Sequence, residues 1–413
     1  MRTVKWNAFL SGLCGFAVVL GVVASSARAD VTTENGASIL VFPKVRADGT
    51  FDTIVQIANT GNSMVHARCY YVNATLFSTL TNTPCRVESS TCVPSWTETD
   101  FNIWLTKQQP THWLVSEGRT FNPFDGFGND GSGFDPGAIP PMIDFQGELK
   151  CIEVDETDAP ITGNHLKGEA TLKGVRNLFD PGIGEENTVF GDVSKYNAIG
   201  IVGNPDATPS NPLVLDGNVY SACPGKLILN HSATLDSDPV VSESTRVPSE
   251  TFTQLTLVPC SEDFENQKAT TVTVQFLVFN EFEERFSAST TLTCYLNSEL
   301  TYFDSPTTYD RSVFSEPVLG TDVAQTEIIP VPVVGTDGTT VENAVIGVAE
   351  RVVVLDSPSS PGFAARAAYN LHTVAKVCIG GASTGVACAA DGDCPGGACS
   401  TPVDRIMLTV GTE

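Results

Sequence analysis

The sequence predicts an all-β protein, and two stretches with strand periodicity are the main evidence for this class. In MVHARCYYVN, residues 64–73, the side chains alternate between the two faces of an extended chain. One face would carry Val65, Ala67, Cys69 and Tyr71, and the other His66, Arg68 and Tyr70. In TLTCYLN, residues 291–297, one face would carry Leu292, Cys294 and Leu296. Gly, Pro, Asn and Asp separate these stretches and no long 3.6-residue repeat occurs, which favours antiparallel sandwiches.

The order of these stretches predicts two immunoglobulin-like antiparallel β-sandwich domains. VQIANTG and CYYVN in the first half have counterparts in VQFLVFNEF and CYLN in the second, which suggests an internal duplication. The Gly-, Asn- and Pro-rich stretch 203–218 would separate the halves. We therefore expect a first domain over residues 30–205 and a second over 206–413, with a small disulfide-rich loop inserted at 378–399.

Residues 1–29 have the layout of a secretory signal peptide. Arg2 and Lys5 precede an apolar stretch, and Ala27-Arg-Ala29 provides a cleavage site. A transmembrane anchor is the alternative, which this cleavage site disfavours. Later apolar runs are strand-sized, so no membrane span is expected after cleavage. We expect a secreted protein, extracellular or on the cell surface, with the periplasm as a further compartment.

The charge balance excludes one class of partner. The chain has 23 Lys and Arg against 48 Asp and Glu, a net charge of −25. Nucleic acid is not expected as a partner, because phosphate binding needs clustered cations. An acidic surface favours solubility and tolerates divalent cations.

Eleven of the twelve cysteines follow the predicted cleavage site, and in an exported chain they predict disulfides. The cysteines of the inserted loop are expected to pair among themselves, because short separations favour closure. These are Cys378, Cys388, Cys394 and Cys399. The other predicted pairs are Cys69–Cys151, Cys85–Cys92 and Cys223–Cys260. Cys294 would then be a buried thiol outside the disulfides.

Three short motifs carry a family resemblance. The segment 378–399 resembles a short cysteine-rich insert, C…GxxC…DxDC…C, of predicted exported bacterial proteins. VFPKV at 41–45 and GNHLKGEATL at 163–172 are similar to motifs of uncharacterised exported β-sandwich proteins. The resemblance implies a β-sandwich and export, and it implies no activity.

Ser383 is the first candidate for chemistry, because Gly381-Ala-Ser383-Thr-Gly385 fits the G-x-S-x-G pattern of a hydrolase nucleophile. Such a serine lies between a strand and a helix, and its histidine follows it in the chain. No helix-forming run follows Ser383, and no histidine lies beyond His372. We therefore expect a serine in a turn of the cysteine-rich loop, and we predict no catalytic residue.

The glycine-rich stretch 121–137 is the best metal candidate, and Ca²⁺ is the cofactor it would take. Its hard oxygen ligands would be Asp125, Asn129, Asp130 and Asp135. The match to an EF-hand loop fails, because Phe127 stands at the third position and Pro136 replaces the bidentate glutamate. A solvated glycine loop without a metal is the favoured interpretation.

The tryptophans are the best ligand-binding candidates. Trp96, Trp104 and Trp113 all lie within eighteen residues, 96–113. If Phe101, Ile103 and Leu105 face the core, Trp104 lies on the opposite face beside Asn102 and could stack on a sugar. The alternative, which we favour, is that Trp104 is covered, because large aromatic side chains are mostly buried.

The sequence as a whole favours a non-catalytic role. The five histidines form no H-x-H or H-E-x-x-H pair, which disfavours zinc. We expect an exported structural or adhesive protein whose partners are surface polysaccharides or other surface proteins. The alternative is a glycan-binding protein that uses the region Trp96–Trp113, and a secreted hydrolase ranks third.

Overall fold

The computed structural model describes residues 31–81, 83, 91–120, 137–180, 185–235, 249–305, 308–334, 340–341, 343–357, 360–383 and 385–409. The protein is nearly all β, with 57% of residues in strands and 4% in helices, which confirms the predicted fold class. The predicted signal peptide, the four predicted Ca²⁺ ligands and Cys85 lie outside the described residues.

The described strands before residue 202 form one large sheet and one short ladder. They are β1 (Ile39–Ala47), β2 (Phe51–Asn59), β3 (Val65–Asn73), β4 (Leu76–Ser78), β5 (Cys92–Pro94), β6 (Thr97–Leu105), β7 (Pro110–Leu114), β8 (Phe145–Val154), β9 (Leu166–Asp180), β10 (Glu185–Asn197) and β11 (Ile199–Ile201). The large sheet has the order β10-β9-β2-β1-β8-β3-β6, with β11 beside β1 and β7 beside β2. Strands β4 and β5 pair only with each other among the described strands.

The large sheet folds over into two layers. Strands β1 and β2 share a single register pair, Ala47 with Asp52, so the sheet bends where they meet. One layer is β11-β1-β8-β3-β6 and the other is β7-β2-β9-β10. Side chains from both layers form the first core, which includes Phe42, Val55, Ile57, Tyr71, Ile103, Leu149, Ala170 and Leu172.

The described strands after residue 212 form two further sheets and three small ones. They are β12 (Leu213–Leu215), β13 (Lys226–Ser232), β14 (Ser249–Pro259), β15 (Glu262–Asp263), β16 (Thr271–Asn280), β17 (Arg285–Thr293), β18 (Leu296–Glu299), β19 (Val323–Val331), β20 (Val333–Val334), β21 (Thr340–Val341), β22 (Val345–Ser357), β23 (Ser360–Asn370), β24 (His372–Val374), β25 (Val377–Ile379), β26 (Ala398–Ser400) and β27 (Asp404–Met407). The helical elements are α1 (Glu316–Leu319) and 3-10 turns at Leu300–Phe303, Tyr309–Arg311 and Asp391–Asp393.

The two further sheets pack face to face. Their orders are β18-β14-β22-β23 and β17-β16-β19-β13-β24. Between them lies another core, which includes Leu229, Leu255, Leu257, Phe276, Ile328 and Ala349. The small sheets are β12-β27-β15, β20-β21 and β25-β26. Strands β22 and β23, which are consecutive in the chain, pair as a hairpin, whereas the consecutive strands β8 and β9 do not pair with each other. The strand pairing therefore differs between the two halves.

The strands β1, β8, β3, β14 and β22 are buried on both faces over most of their length, whereas β6 is partly exposed. In β3, Tyr71 lies in the first core, whereas its neighbour Tyr70 faces the second half of the chain. In β22, Ala349 faces the second-half core, whereas Ile346 faces the first half. The middle core that results includes Ile39, Val41, Tyr70, Ile152, Val258, Phe264, Ile346 and Ile406. Over the described residues, the molecule is therefore a stack of four sheet layers.

Charged side chains are buried in this middle interface. The register of β1 against β8 shifts between Phe42 and Val45, and both of those residues lie in the first core. Because of the extra residue in this bulge, the Lys44 side chain points away from the first core and toward the second half, where it pairs with Glu350 of β22. Lys44 and Glu350 are each 1% exposed, so this ion pair is desolvated.

The cysteines pair as the sequence predicted wherever both partners are described. The disulfides are Cys69–Cys151, Cys223–Cys260, Cys378–Cys394 and Cys388–Cys399. Cys92 also takes part in a disulfide. Cys294 is a buried thiol, as expected, but it does not lie in an alternating strand. Its φ of 57° turns the chain between β17 and β18, so Cys294 points into the middle core, away from Leu292 and Leu296.

We expect Glu350→Ala to lower the free energy of unfolding by about 3–5 kcal/mol, because it leaves the Lys44 ammonium buried without its carboxylate. Urea unfolding of the full-length mature protein measures this. The control is Glu169→Ala, which removes the carboxylate of an exposed pair with Lys195 and should change stability by less than about 1 kcal/mol. Equal effects of the two substitutions would contradict the importance assigned to the buried pair.

Replacing residues 380–397 by Asn-Gly, with Cys378 and Cys399 changed to serine, should leave a folded protein. The loop's two disulfides are internal, and β25 and β26 remain paired at the cut, with Ile379 opposite Ala398. Circular dichroism should show an unchanged strand spectrum and one cooperative melt. By contrast, replacing Cys69 and Cys151 by serine removes a disulfide of the body and should cost about 2–5 kcal/mol. Loss of folding in the loop variant alone would show that the body depends on the loop.

Candidate functional site

Two groups of polar side chains stand out in the described chain. We call the first the interface cluster, and it consists of Lys44, Glu148, Lys150, Glu262 and Glu350. We call the second the Trp104 patch, and it consists of His66, Arg68, Asp100, Asn102 and Trp104. The first-half members of both groups lie on the same face of the layer β11-β1-β8-β3-β6, the face directed toward the second half, which contributes Glu262 and Glu350. The second half covers the interface cluster and leaves the Trp104 patch partly open.

Lys44 makes the first set of contacts in the interface cluster. Its Nζ donates to a carboxylate oxygen of Glu350 and to Oε1 of Gln254, the latter at 2.9 Å. The Oγ of Ser194 donates to the other oxygen of Glu350. Burial lowers the pKa of Lys44 to about 8, against the opposing effect of Glu350. Burial alone would raise the pKa of Glu350. The Lys44 ammonium and the Ser194 hydroxyl have the larger, opposite effect and lower that pKa to about 2.

Lys150 makes the second set of contacts and joins the two halves again. Its Nζ lies 2.9 Å from Oε1 of Glu148, 3.1 Å from Oε1 of Glu262 and 3.3 Å from the carbonyl oxygen of Pro259. These three acceptors use all three ammonium protons. Burial raises the pKa of Glu148 to about 8; Lys150 opposes this shift and Glu262 adds to it. Burial would lower the pKa of Lys150, but the two carboxylates outweigh burial and raise it.

The interface cluster holds its charges where a substrate has no access. Glu148, Lys150 and Glu262 are at most 2% exposed. Perturbed pKa values are typical of active sites, but structural ion-pair networks produce them as well. Here the pairs cross between sheets, from Lys44 on β1 to Glu350 on β22 and from Lys150 on β8 to Glu262 on β15. The cluster can therefore fix the position of the first-half sheet on the second-half sheet. It can also keep Glu148 protonated.

The three tryptophans do not form one surface, which corrects the predicted ligand site. Trp113 is 3% exposed and lies in the first core, where its Nε1 donates to the Tyr71 hydroxyl at 2.7 Å. Trp96 is 9% exposed and lies in the middle core. Neither ring can therefore present a face to a ligand. The alternation predicted for β6 is nevertheless present, because Phe101, Ile103 and Leu105 all lie in the first core.

Trp104 is half-buried and stacks on a histidine. Its ring lies parallel to that of His66, with the centroids 3.8 Å apart and the planes 4° apart. Nδ1 of His66 lies 2.9 Å from the carbonyl oxygen of Asp155, and Nε2 lies 3.6 Å from the Asp158 carboxylate. Since His66 is buried, it forms a fixed base under one face of Trp104.

Charged and amide groups border the Trp104 ring. The Arg68 guanidinium contacts Oδ2 of Asp100 through Nη2 at 2.6 Å and through Nε at 3.2 Å. Asn102, between Asp100 and Trp104 on the same face of β6, is exposed. An aromatic ring beside such planar polar groups can bind a sugar, whose CH face stacks while its hydroxyls form hydrogen bonds.

A groove of about 650 Å³ runs over β2, β7 and β9. Its polar lining comes from Gln56, Gln109, His112, Lys167, Glu169 and Asn197. His112 belongs to the region Trp96–Trp113 that the sequence singled out, and it is exposed. In the part of the groove that the structure describes, His112 is the single histidine in the lining, so no H-x-H or histidine pair forms there.

Ser383 lies where the sequence analysis expected it. It is in a turn in which the amide of Val386 donates to the Ser383 carbonyl at 3.0 Å. The described residues after it contain the 3-10 turn Asp391–Asp393 and no α-helix, so the strand–turn–helix arrangement of a hydrolase nucleophile is not formed there.

Sequence reasoning missed the interface cluster. Glu148 and Lys150 occur in GELKCIEV with strand alternation, which usually indicates a solvated face. The available signal was that Ile152 and Val154 share this face, so it is not uniformly polar. Lys44 had a signal as well, because it follows ILVFP, a continuous apolar run typical of a strand buried on both faces.

Comparisons with known proteins name no family. No protein-family model matches the chain, and no curated protein matches it. The crystal structure of tripeptidyl peptidase 2 is a solved structure to which the chain is similar, at 8% identity and a TM-score of 0.16. The match covers 85% of this chain and 29% of that one, so the chain spans less than a third of that protein. A TM-score this low carries no argument about fold or activity.

A search of the described helices for a membrane-crossing segment finds none of sufficient length and apolar character.

Between pH 4.5 and 8 the contribution of Glu148 to the free energy of unfolding should fall as pH rises. Burial lowers the pKa of His231 to about 4, so His231 has the opposite effect up to about pH 6.5 and remains in every variant. The folded protein keeps the Glu148 proton up to about pH 8, whereas the unfolded chain releases it near 4.5. In this window the folded state binds more protons at Glu148, so the titration of this group favours unfolding as pH rises. Glu148→Gln cannot ionise and should flatten the slope in urea unfolding at pH 5, 6.5 and 8. The pKa of Glu98, which burial raises to about 7, acts in the same direction and remains in the variant.

The matched control for this titration is Glu169→Gln at the surface, which should keep the wild-type slope. An unchanged slope in Glu148→Gln would contradict a retained proton on that side chain.

Proposed function

We propose that the chain is an exported structural or adhesive protein without catalytic activity, which acts outside the cell or on its surface. The observation that supports this most is the position of the interface cluster. Lys44, Glu148 and Glu350 have strongly shifted pKa values and are buried, and the ion pairs Lys44–Glu350 and Lys150–Glu262 cross the interface and hold the sheets together. Such a use is expected of a rigid scaffold.

Export is supported by two further observations. Disulfides persist in oxidising compartments, and the described chain contains several of them. The sequence of residues 1–29 has the layout of a signal peptide. Two immunoglobulin-like domains, divided near residue 205, are the organisation that we propose for the mature chain.

The test combines an activity screen with a binding assay on the purified mature protein. Peptide, ester and glycoside substrates should show no turnover above buffer, and beads that carry the protein should bind cells of the producing organism. N-terminal sequencing of the exported protein should begin at Asp30. Turnover that a single substitution abolishes would overturn the proposal.

Glycan binding is the second candidate, and the partial exposure of Trp104 is the observation that favours it. The ring is held rigidly on His66, with the exposed Asn102 and the Arg68–Asp100 pair beside it. A pre-positioned aromatic ring loses little conformational entropy when a ligand stacks on it. The site would take a surface polysaccharide through one stacked sugar and its hydroxyls.

Trp104→Ala should weaken binding to a surface polysaccharide by about 1–3 kcal/mol, the effect usual for a binding hot spot. Its effect on stability should be smaller than that of a core aromatic, about 1–2 kcal/mol, because only one face of the ring is covered. Trp113→Ala is the control and should cost about 3–5 kcal/mol of stability. Glycan-array signals and urea unfolding measure both effects, and an unchanged glycan signal in Trp104→Ala would rule out this site.

A further inference from the structure

Strand β17 forms one edge of the outer sheet β17-β16-β19-β13-β24. It pairs with β16 over its full length, from Thr293 opposite Thr271 to Arg285 opposite Phe279, without a register shift. In the described part of the chain it pairs with no other strand. Alternate residues of this regular nine-residue strand therefore present their amide and carbonyl groups along the outer edge.

The usual protections of an edge strand are missing from β17. Natural edges are blocked by charges, proline, bulges or short length. Residues 286–293 read FSASTTLT, which contains neither a charge nor a proline. The other described edges differ. Edge strand β6 carries Glu98 and Asp100, β7 begins with Pro110, β24 has three residues, and β23 packs beside β10.

Apart from Arg285 at the start of β17, the exposed face of β16 and β17 carries no charge. The Thr273 and Thr291 hydroxyls lie 2.9 Å apart across β16 and β17, and those of Thr271 and Thr293 lie 3.3 Å apart. In a chain with a net charge of −25, two copies repel each other over most of their surface. The β16–β17 face is a place where two copies can meet without opposing carboxylates.

We propose that a second copy of this chain pairs along β17, antiparallel, around a two-fold axis at Ser289. In this register Ser287 lies opposite Thr291 of the second copy, and Arg285 lies opposite Thr293 of the second copy. No like charges meet, and the two outer sheets join into one continuous sheet.

The ends of the strand fit the same arrangement. The turn before β17 carries Glu281, Glu283 and Glu284, all exposed. In the antiparallel register this turn projects past Thr293 of the second copy, toward the end of the hairpin that carries the exposed Lys268 and Glu265, so the two acidic turns stay apart. A parallel arrangement would instead bring the two acidic turns together. Charge therefore selects the antiparallel pairing.

The proposal rests on the structural role proposed above and deepens it by naming a second copy as the partner. The test uses the full mature protein, and sedimentation or light scattering measures its mass. The wild type should give twice the chain mass at a concentration of about 0.1 mM. Ser289→Lys places two lysines opposite each other at the axis and should give the single-chain mass. Gln275→Lys adds the same charge to the same face, directly opposite Ser289 on β16, and should keep the dimer.

Crosslinking tests the register itself. Opposed residues of an antiparallel pair lie about 4.5–5.5 Å apart at Cα, within reach of a disulfide. Oxidised Ser289→Cys should therefore run as a covalent dimer on a non-reducing gel. The two copies of Gln275 would be three strand spacings apart, about 14 Å, so Gln275→Cys should stay single.

Three results would overturn the pairing. They are a wild type that stays monomeric, a dimer that survives Ser289→Lys, or equal crosslinking of the two cysteine variants. A monomer that nevertheless binds a synthetic Arg285–Thr293 peptide would indicate a strand donated by another protein and would also overturn it. A monomer that still binds cells would leave the structural role intact. A dimer that turns over a substrate would contradict the proposed non-catalytic function but would still support the pairing along β17.

Discussion

The burial of two lysines between the inner sheets is the constraint on which the rest of the structure depends. Lys44 and Lys150 both lie on first-half strands, and a carboxylate from the second half meets each of them. A buried ammonium is tolerated only where its counter-charge and hydrogen-bond acceptors are correctly placed. The apolar middle core would permit several sliding positions of one sheet on the other, whereas the ion pairs permit one. Net stability from such pairs is small, so their main contribution is to the specificity of the packing.

This constraint decides how the polar chemistry of the chain should be interpreted. Glu148 with a raised pKa beside Glu262 and a lysine would look like a catalytic arrangement if it lined a cleft. It lies instead among side chains that are almost wholly inaccessible, between two sheets that share one apolar core. The Trp104 patch has the opposite character, because its ring is partly accessible. Its neighbour Glu98 has a pKa that burial raises to about 7. The inward face of the layer β11-β1-β8-β3-β6 therefore has a buried structural part, at the interface cluster, and a partly accessible part, at the Trp104 patch.

Strand periodicity and cysteine spacing were enough to predict the fold class, the burial of Val65, Ala67 and Cys69 on one face, two disulfides of the body, and the pairing of the four loop cysteines among themselves without their connectivity. These features are local or depend on chemistry that the residues carry themselves. The stacking of the two inner sheets could not be predicted, because a period of two identifies two faces and does not say what covers the second. Tyr70 shows this limit, since it was placed opposite the core face and is fully buried against Phe264. Trp96 and Trp113 were misjudged because contacts from distant strands, which no local pattern reports, cover them.

The distance along the chain between Lys44 and Glu350, 306 residues, has a consequence for the export that we propose. In such an export the first half would reach the far side of a membrane before Glu262 and Glu350 do, and its inner face would carry solvated ammonium groups in place of a purely apolar surface. Such a face remains hydrated and resists sticking to other emerging chains. In an exported chain, the two halves would pack stably only after nearly the whole polypeptide has crossed, because closure over so long a loop is slow. The same charges that fix the packing would then keep the inner face of the first half hydrated during export.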